Sequence, residues 1–231
     1  MEEGKAAIYH FTDGSQKRPI IYRKELERLK GFAHNVGYND LDIFVDKTLC
    51  KCNQEQLECL MENVDKYEAL IFKDFYHLRK NTGICMSELM HLSMNGIEIH
   101  TLEDGGFRFT EPPFDRKLNV AIYYCGLELT GRSLELQYAI MDLFIKDKTN
   151  WNLICRYADM EGNKVDGNQK ELQRLIRNKN QYDMILVRSF VDVHWRTSKF
   201  CKIRHLLQKG IYSMHDEIYL PYEMGEKRYD V

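Results

Sequence analysis

The sequence predicts an α/β fold built as two tandem domains, each a mostly parallel sheet flanked by helices. Three observations lead there. Short β-branched or aromatic runs alternate with segments of helical periodicity. A set of landmarks returns in the same order after 113 to 115 residues, and Glu111-Pro112-Pro113-Phe114 separates the two sets. Paired prolines continue neither a strand ladder nor a helix, so the domains are expected over 1–112 and 118–231.

In the first half, runs at 6–11, 41–46, 68–75 and 96–102 are too short for helices and read as strands. Between them Ile20, Leu26, Leu29 and Phe32 recur at helical intervals, as do Leu57, Leu60 and Val64, then Ile84, Leu89 and Leu92. Gly96 and Gly210 follow the last helix of each half, where a left-handed residue is favoured. Strands joined by helices of this length favour parallel pairing with helices on both faces. Glu103-Asp104-Gly105-Gly106 reads as a turn.

The repeat is explicit in the letters. Ala7-Ile8-Tyr9 returns as Ala121-Ile122-Tyr123 at an offset of 114. Asp46 closes Leu41-Asp42-Ile43-Phe44-Val45 and returns as Asp159 at 113, while Asn53-Gln54 with Leu57 and Leu60 returns as Asn168-Gln169 with Leu172 and Leu175 at 115. Tyr67 and Phe75 match Tyr182 and Phe190 at 115, and Gly96-Ile97 and Glu103 match Gly210-Ile211 and Glu217 at 114. Constant order with so small a drift is the mark of a duplicated domain.

Composition narrows the function classes. The 231 residues carry 33 Lys and Arg against 35 Asp and Glu, a formal charge of −2, so any DNA contact is expected to be local. A hydrophobic share of 44% excludes a disordered tail or a fibre. The seven cysteines lack framework spacing and read as reduced thiols. No apolar run approaches the roughly 20 residues of a membrane span, and Met1 to Ala7 lacks the order of a secretory signal. The expectation is a soluble, cytoplasmic protein with no membrane partner. No metal site and no cofactor is expected, because zinc-spaced Cys pairs and G-x-G-x-x-G are missing and the nearest phosphate loop, Gly126 to Ser133, has Arg132 where lysine is needed.

The order of landmarks resembles the catalytic domain of the resolvase/invertase family of serine recombinases. That domain opens with a strand ending Tyr-x-Arg-x-Ser, and an Asp closes its second strand. A helix introduced by Arg follows, then a strand of Asp and apolar residues, a loop with two more arginines, a helix, and a Gly entering the last strand. The second half matches more closely, at Gln181-Tyr182-Asp183-Met184-Ile185-Leu186-Val187-Arg188-Ser189-Phe190 and from Lys199 to Ile211. The resemblance implies that a Ser hydroxyl attacks a DNA phosphodiester in line while arginines grip the phosphate oxygens, with no metal or nucleotide cofactor. On this pattern Ile8, His10 and Thr12 stand for Tyr, Arg and Ser, Gln54 for the helix-introducing Arg, and His77 and Lys80 for the loop arginines. In the second half Tyr124, Gly126, Gln169, Asp192 and Trp195 hold the corresponding Arg, Ser, Arg, Arg and Arg positions. Losing one preorganised donor costs about 10² to 10³ in rate, and all four arginine positions are substituted in each half.

The resemblance thus implies a vestigial catalytic set of Thr12, His10, His77 and Lys80, with Arg79 beside it. It implies a catalytically degenerate, DNA-recombination-associated protein acting as an interaction or regulatory partner within a mobile element. The expected partners are an active serine recombinase, another protein of the same element, or a second copy in a dimer. Two alternatives stand beside this. One is a divergent active recombinase in which Thr12 attacks and His10, His77 and Lys80 bind the phosphate. The other is a small-anion or nucleotide binder using the loops at strand C-termini. Taken without the resemblance, Thr12 is a turn residue before Asp13-Gly14-Ser15, His77 and Lys80 are solvated loop residues, and Trp195 is a packing or partner-contact aromatic.

Overall fold

The computed structural model describes residues 4–13, 19–48, 54–79, 81–103, 105–107, 109–110, 116–126, 131–160 and 169–222. The described residues divide into two compact units, 4–107 and 109–222. The Pro112-Pro113 segment and Lys80 lie outside the described residues.

Unit 1 runs β1 (Lys5–Asp13), α1 (Pro19–Asn35), β2 (Asp40–Thr48), α2 (Glu55–Glu62), β3 (Ala69–Phe72), the short α3 (Phe75–Leu78), α4 (Thr82–Met94), β4 (Glu98–Thr101) and β5 (Gly105–Phe107). Its sheet has the order β2-β1-β3-β4-β5, parallel except for the antiparallel β4–β5 pair. Unit 2 repeats the plan with β6 (Leu118–Gly126), α5 (Gly131–Lys146), β7 (Trp151–Met160), α6 (Lys170–Arg177), β8 (Met184–Val187), α7 (Phe190–Val193), α8 (Thr197–Leu207), β9 (Gly210–Ser213) and β10 (Ile218–Leu220). Its strand order, β7-β6-β8-β9-β10, is the same arrangement, again parallel except at the final hairpin. The α/β class and the tandem plan expected from the sequence are those of the structure.

Period-two alternation sorts the strand side chains between the two faces. Ala6 and Ile8 join Ala69 and Ile71 under Leu29, Phe32 and Ala33 of α1. Ala7, Tyr9 and Phe11 take the opposite face. In unit 2, Leu118, Val120 and Ile122 pack with Met141 and Ile145 of α5, joined by Trp151, Leu186 and Tyr212. Caps fix the helix starts: Asn81 accepts from the Ile84 amide ahead of α4, and Asp74 from the His77 amide ahead of α3.

The one-residue drift in the repeat has a structural cause. β7 carries a bulge opposite the Val120–Ala121 step. Leu41 to Leu153 spans 112 residues, whereas Asp46 to Asp159 spans 113. One inserted residue would turn every later side chain to the wrong face, and the bulge absorbs it so that Asp159 still faces the side that Asp46 faces.

Several sequence readings shift. The run at 68–75 ends as a strand at Phe72, because Asp74 caps α3 there. Val64 lies past α2 in a short 3-10 turn, and Ile84 is 54% exposed while Cys85 and Met86 face the core. Gly105 and Gly106 lie within β5, so the turn falls before them, and its described residues are Leu102 and Glu103. Gly96 does take a left-handed φ of 81°, but Gly210 opens β9, and the left-handed residue closing α8 is Gln208 at φ 53°. Gly210 sits in close contact instead: a Cβ there would meet the outer end of the Tyr219 ring of the paired strand, which would have to shift. Gly210→Val is expected to destabilise the protein by about 1–3 kcal/mol, the usual cost of overpacking, read as a lower urea midpoint by the fluorescence of Trp151 and Trp195 together. Among the described residues no helix is long and apolar enough to cross a membrane.

Candidate functional site

The crossovers from β1 to β2 and from β2 to β3 leave in opposite directions, so the C-terminal ends of β1 and β3 form a switch point. Open α/β sheets bind ligands in such a crevice. Here the structure divides the candidate residues between a buried network on one face of the sheet and a charged cluster on the other.

The network ties strand to helix. Asp46, at the end of β2, accepts from the Tyr9 hydroxyl (3.0 Å) and from the amides of Gln56 (3.1 Å) and Leu57 (3.2 Å). It therefore caps α2 from the sheet, where Gln54 at the N-cap position makes no side-chain cap of its own. Gln54 Nε2 instead donates to the Tyr9 hydroxyl (2.8 Å) and the Leu78 carbonyl (2.9 Å), and its Oε1 accepts from Arg79 (2.8 Å). Burial leads in pushing the Tyr9 phenol well above its ordinary value. Unit 2 repeats the set: Asp159 accepts from Tyr123 (3.3 Å) and the amides of Glu171 (3.1 Å) and Leu172 (2.8 Å). Gln169 donates to Tyr123 (3.0 Å) and the Val193 carbonyl (3.3 Å).

On the α1 face of unit 1, His10 is 1% exposed, and its ring lies 6.2 Å from that of His77, nearly parallel, and 5.5 Å from Tyr22. Its Nε2 is 3.8 Å from Glu25, yet neither ring nitrogen has a hydrogen-bond partner. Lys73 pairs with Glu25 at 2.7 Å and with Glu103 at 3.7 Å. His77 Nδ1 sits 2.7 Å from Asp74. Burial opposes the ionisation of Asp74, but the His77 contacts outweigh it and hold the carboxyl below its ordinary value. Arg79 belongs to the network instead, held by Gln54 and by Glu88 at 2.8–3.0 Å. Thr12 lies two residues beyond His10 on the same face of β1, half-buried and in register with Lys47.

Unit 2 carries different residues at the same place. A Cβ on Gly126 would meet the Tyr124 phenol ring, so a side chain there would need that ring to move. Arg188 lies 5.3 Å over the Tyr124 ring and pairs with the buried Asp192 at 3.0 Å. Trp195 is 37% exposed, with Arg196 4.6 Å above its ring.

The structure thus brings His10 and His77 together with Thr12 nearby, while Lys80 falls outside the described residues. Sequence reasoning missed the carboxylates Glu25, Asp74, Glu88 and Glu103 that hold Lys73, His77 and Arg79, and the role of Tyr9 and Tyr123. The tyrosines left a signal, since Tyr9, Asp46 and Gln54 all recur as Tyr123, Asp159 and Gln169. Among the described residues no group of three or more His, Cys, Asp or Glu could hold a metal ion.

No protein-family model and no curated protein matches the chain. Among solved structures it is similar to the C-terminal catalytic domain of ISC1926 TnpA, an IS607-like serine recombinase, at 14% identity and a TM-score of 0.37, covering 62% of this chain and 82% of that one. It is similar to an ABC transporter solute-binding protein from Burkholderia multivorans at 10% identity and a TM-score of 0.32, over 92% and 80% of the two chains. A myo-inositol-binding protein from Caulobacter follows at 10% identity and a TM-score of 0.30, over 91% and 74%. The similarity to the recombinase domain is weak, and the solute-binding proteins share it.

Proposed function

We propose that this chain is a duplicated, non-cleaving serine-recombinase-like protein that acts by binding, as a partner or regulator of strand exchange carried out by an active recombinase of the same mobile element. One observation carries the non-cleaving half of the reading. Two cations at the β1–β3 switch point of unit 1 already sit against carboxylates, Lys73 on Glu25 and Glu103 and Arg79 on Glu88. A phosphodiester entering there would have to displace them, and each missing preorganised donor costs about 10² to 10³ in rate. Gln54 and Gln169, at the helix-introducing arginine positions, are bound into the core network, and Gly126 offers no nucleophile. The order of sequence landmarks supports the recombinase-like half.

Supercoiled plasmid incubated with the chain and run on a denaturing gel is expected to show no covalent protein–DNA adduct, with Thr12→Ala indistinguishable from the wild type. An adduct that depends on Thr12 would establish the divergent-enzyme alternative instead. Titrating the chain into an active serine recombinase from the same element is expected to change recombination yield at stoichiometric ratios. An unchanged yield with no co-migration on size exclusion removes the partner role.

A further inference from the structure

The repeat supplies its own control for surface chemistry. α1 and α5 occupy the same place in the two units, after the first strand of each. α1 turns Arg23, Lys24, Glu27, Arg28 and His34 to solvent. α5 exposes Leu136 by 60%, Ile140 by 41% and Leu143 by 61%, with Ala139 between them. Spacings of four and three residues put these on one stripe, outside the Met141 and Ile145 face that packs on the sheet. The fold does not require an apolar exterior along this helix, because the described exposed side chains of α1 are polar.

Charges flank the stripe, with Arg132 and Glu135 at one end and Lys146 and Asp147 at the other. All four are exposed, and none makes an ion pair among the described residues. Their order is self-complementary under a two-fold axis. With a second α5 laid antiparallel about the Ala139–Ile140 midpoint, Leu136 meets Leu143 and Arg132 meets Asp147. Glu135 then lies about 3 Å of helix rise from the level of Lys146, within reach of both side chains. A parallel arrangement would instead set each charge against its own copy, which is repulsive. This is the residue order that an isologous contact needs.

We propose that the exposed face of α5 is a homodimer seam on which a second copy of this chain docks antiparallel across Leu136, Ile140 and Leu143. The inference does not depend on the recombinase-like reading, and the experiment below is blind to DNA chemistry. Sedimentation velocity on the full chain, from low micromolar to the highest soluble concentration, is expected to show a monomer–dimer equilibrium. Leu143→Arg and Ile140→Asp are each expected to raise the dimer dissociation constant about tenfold or more, with unchanged circular dichroism because both side chains face solvent. Arg132→Asp and Asp147→Arg are each expected to weaken the dimer, and the double variant to restore it, since the two positions face each other across the seam. A chain that stays monomeric throughout, a dimer indifferent to both apolar substitutions, or a double charge swap without restoration would each overturn the proposal.

Discussion

Asp46→Ala is expected to lower the stability of the protein by about 3 kcal/mol, in the range found when a buried charged hydrogen-bond acceptor is removed. The carboxylate is 5% exposed and receives three hydrogen bonds, from Tyr9 and from two amides of the first turn of α2. Alanine would strand both amides, because Gln54 is committed to Tyr9, Leu78 and Arg79 and cannot turn to cap them. It would also remove a negative charge from a helix N-terminus. Asp46→Asn keeps one acceptor and is expected to cost roughly half as much. The measurement is a urea midpoint, with hydrogen exchange to locate the loss at β1, β2 and α2. In a cycle with Tyr9→Phe the two effects are expected to be strongly non-additive, since both remove members of one network. Additive effects would mean that Asp46 and Tyr9 act separately. Asp159→Ala tests the copy in unit 2.

This network shows where the sequence was legible. β1 to β4 follow from β-branched and aromatic runs, and the recurring Tyr, Asp and Gln mark three of the network's members. Their mutual bonding was not legible, because it joins residues 37 and 45 positions apart and follows from the faces that strand pairing assigns. The closing hairpins left no pattern, as β5 begins with two glycines, which have no side chain to alternate. α5 carries apolar residues on its exposed face as well as its buried one, so the single stripe that announces a surface helix is absent. The misplaced C-cap at Gly210 came from treating glycine as a helix terminator, where it sits in close contact with Tyr219 instead.

The candidate site divides in the same way. A grouping of His10 with His77 came only from the resemblance, and the rings do lie 6.2 Å apart. That Lys73 and Arg79 are paired was not legible, because the carboxylates come from α1, α4 and the β4–β5 turn, remote in the chain and silent in any local motif. A cation read from sequence counts as available for phosphate, whereas in the fold its availability is set by the acid packed against it.

Lowering the pH from 7 to 4 is expected to destabilise the protein by roughly 3 kcal/mol through His10 alone, from the linkage between proton binding and folding. Burial pushes the His10 imidazole from an ordinary value of 6.5 down to about 4; the Glu25 carboxylate pulls the other way, while His77 and Lys73 add to the depression. An unfolded chain takes up the proton near 6.5, and the folded one only near 4. Between those values the unfolded state binds more protons, so stability falls as pH drops through that window and this contribution is whole above it. His10→Phe is expected to flatten the acid limb in urea melts between pH 7 and 4.5. At pH 7 it is expected to cost little, because neither ring nitrogen makes a hydrogen bond to lose. An acid limb as steep in His10→Phe as in the wild type would show that other groups govern the slope. The same titration bears on function: at pH 7 the ring at the first arginine position is neutral, so it brings no positive charge to a phosphate.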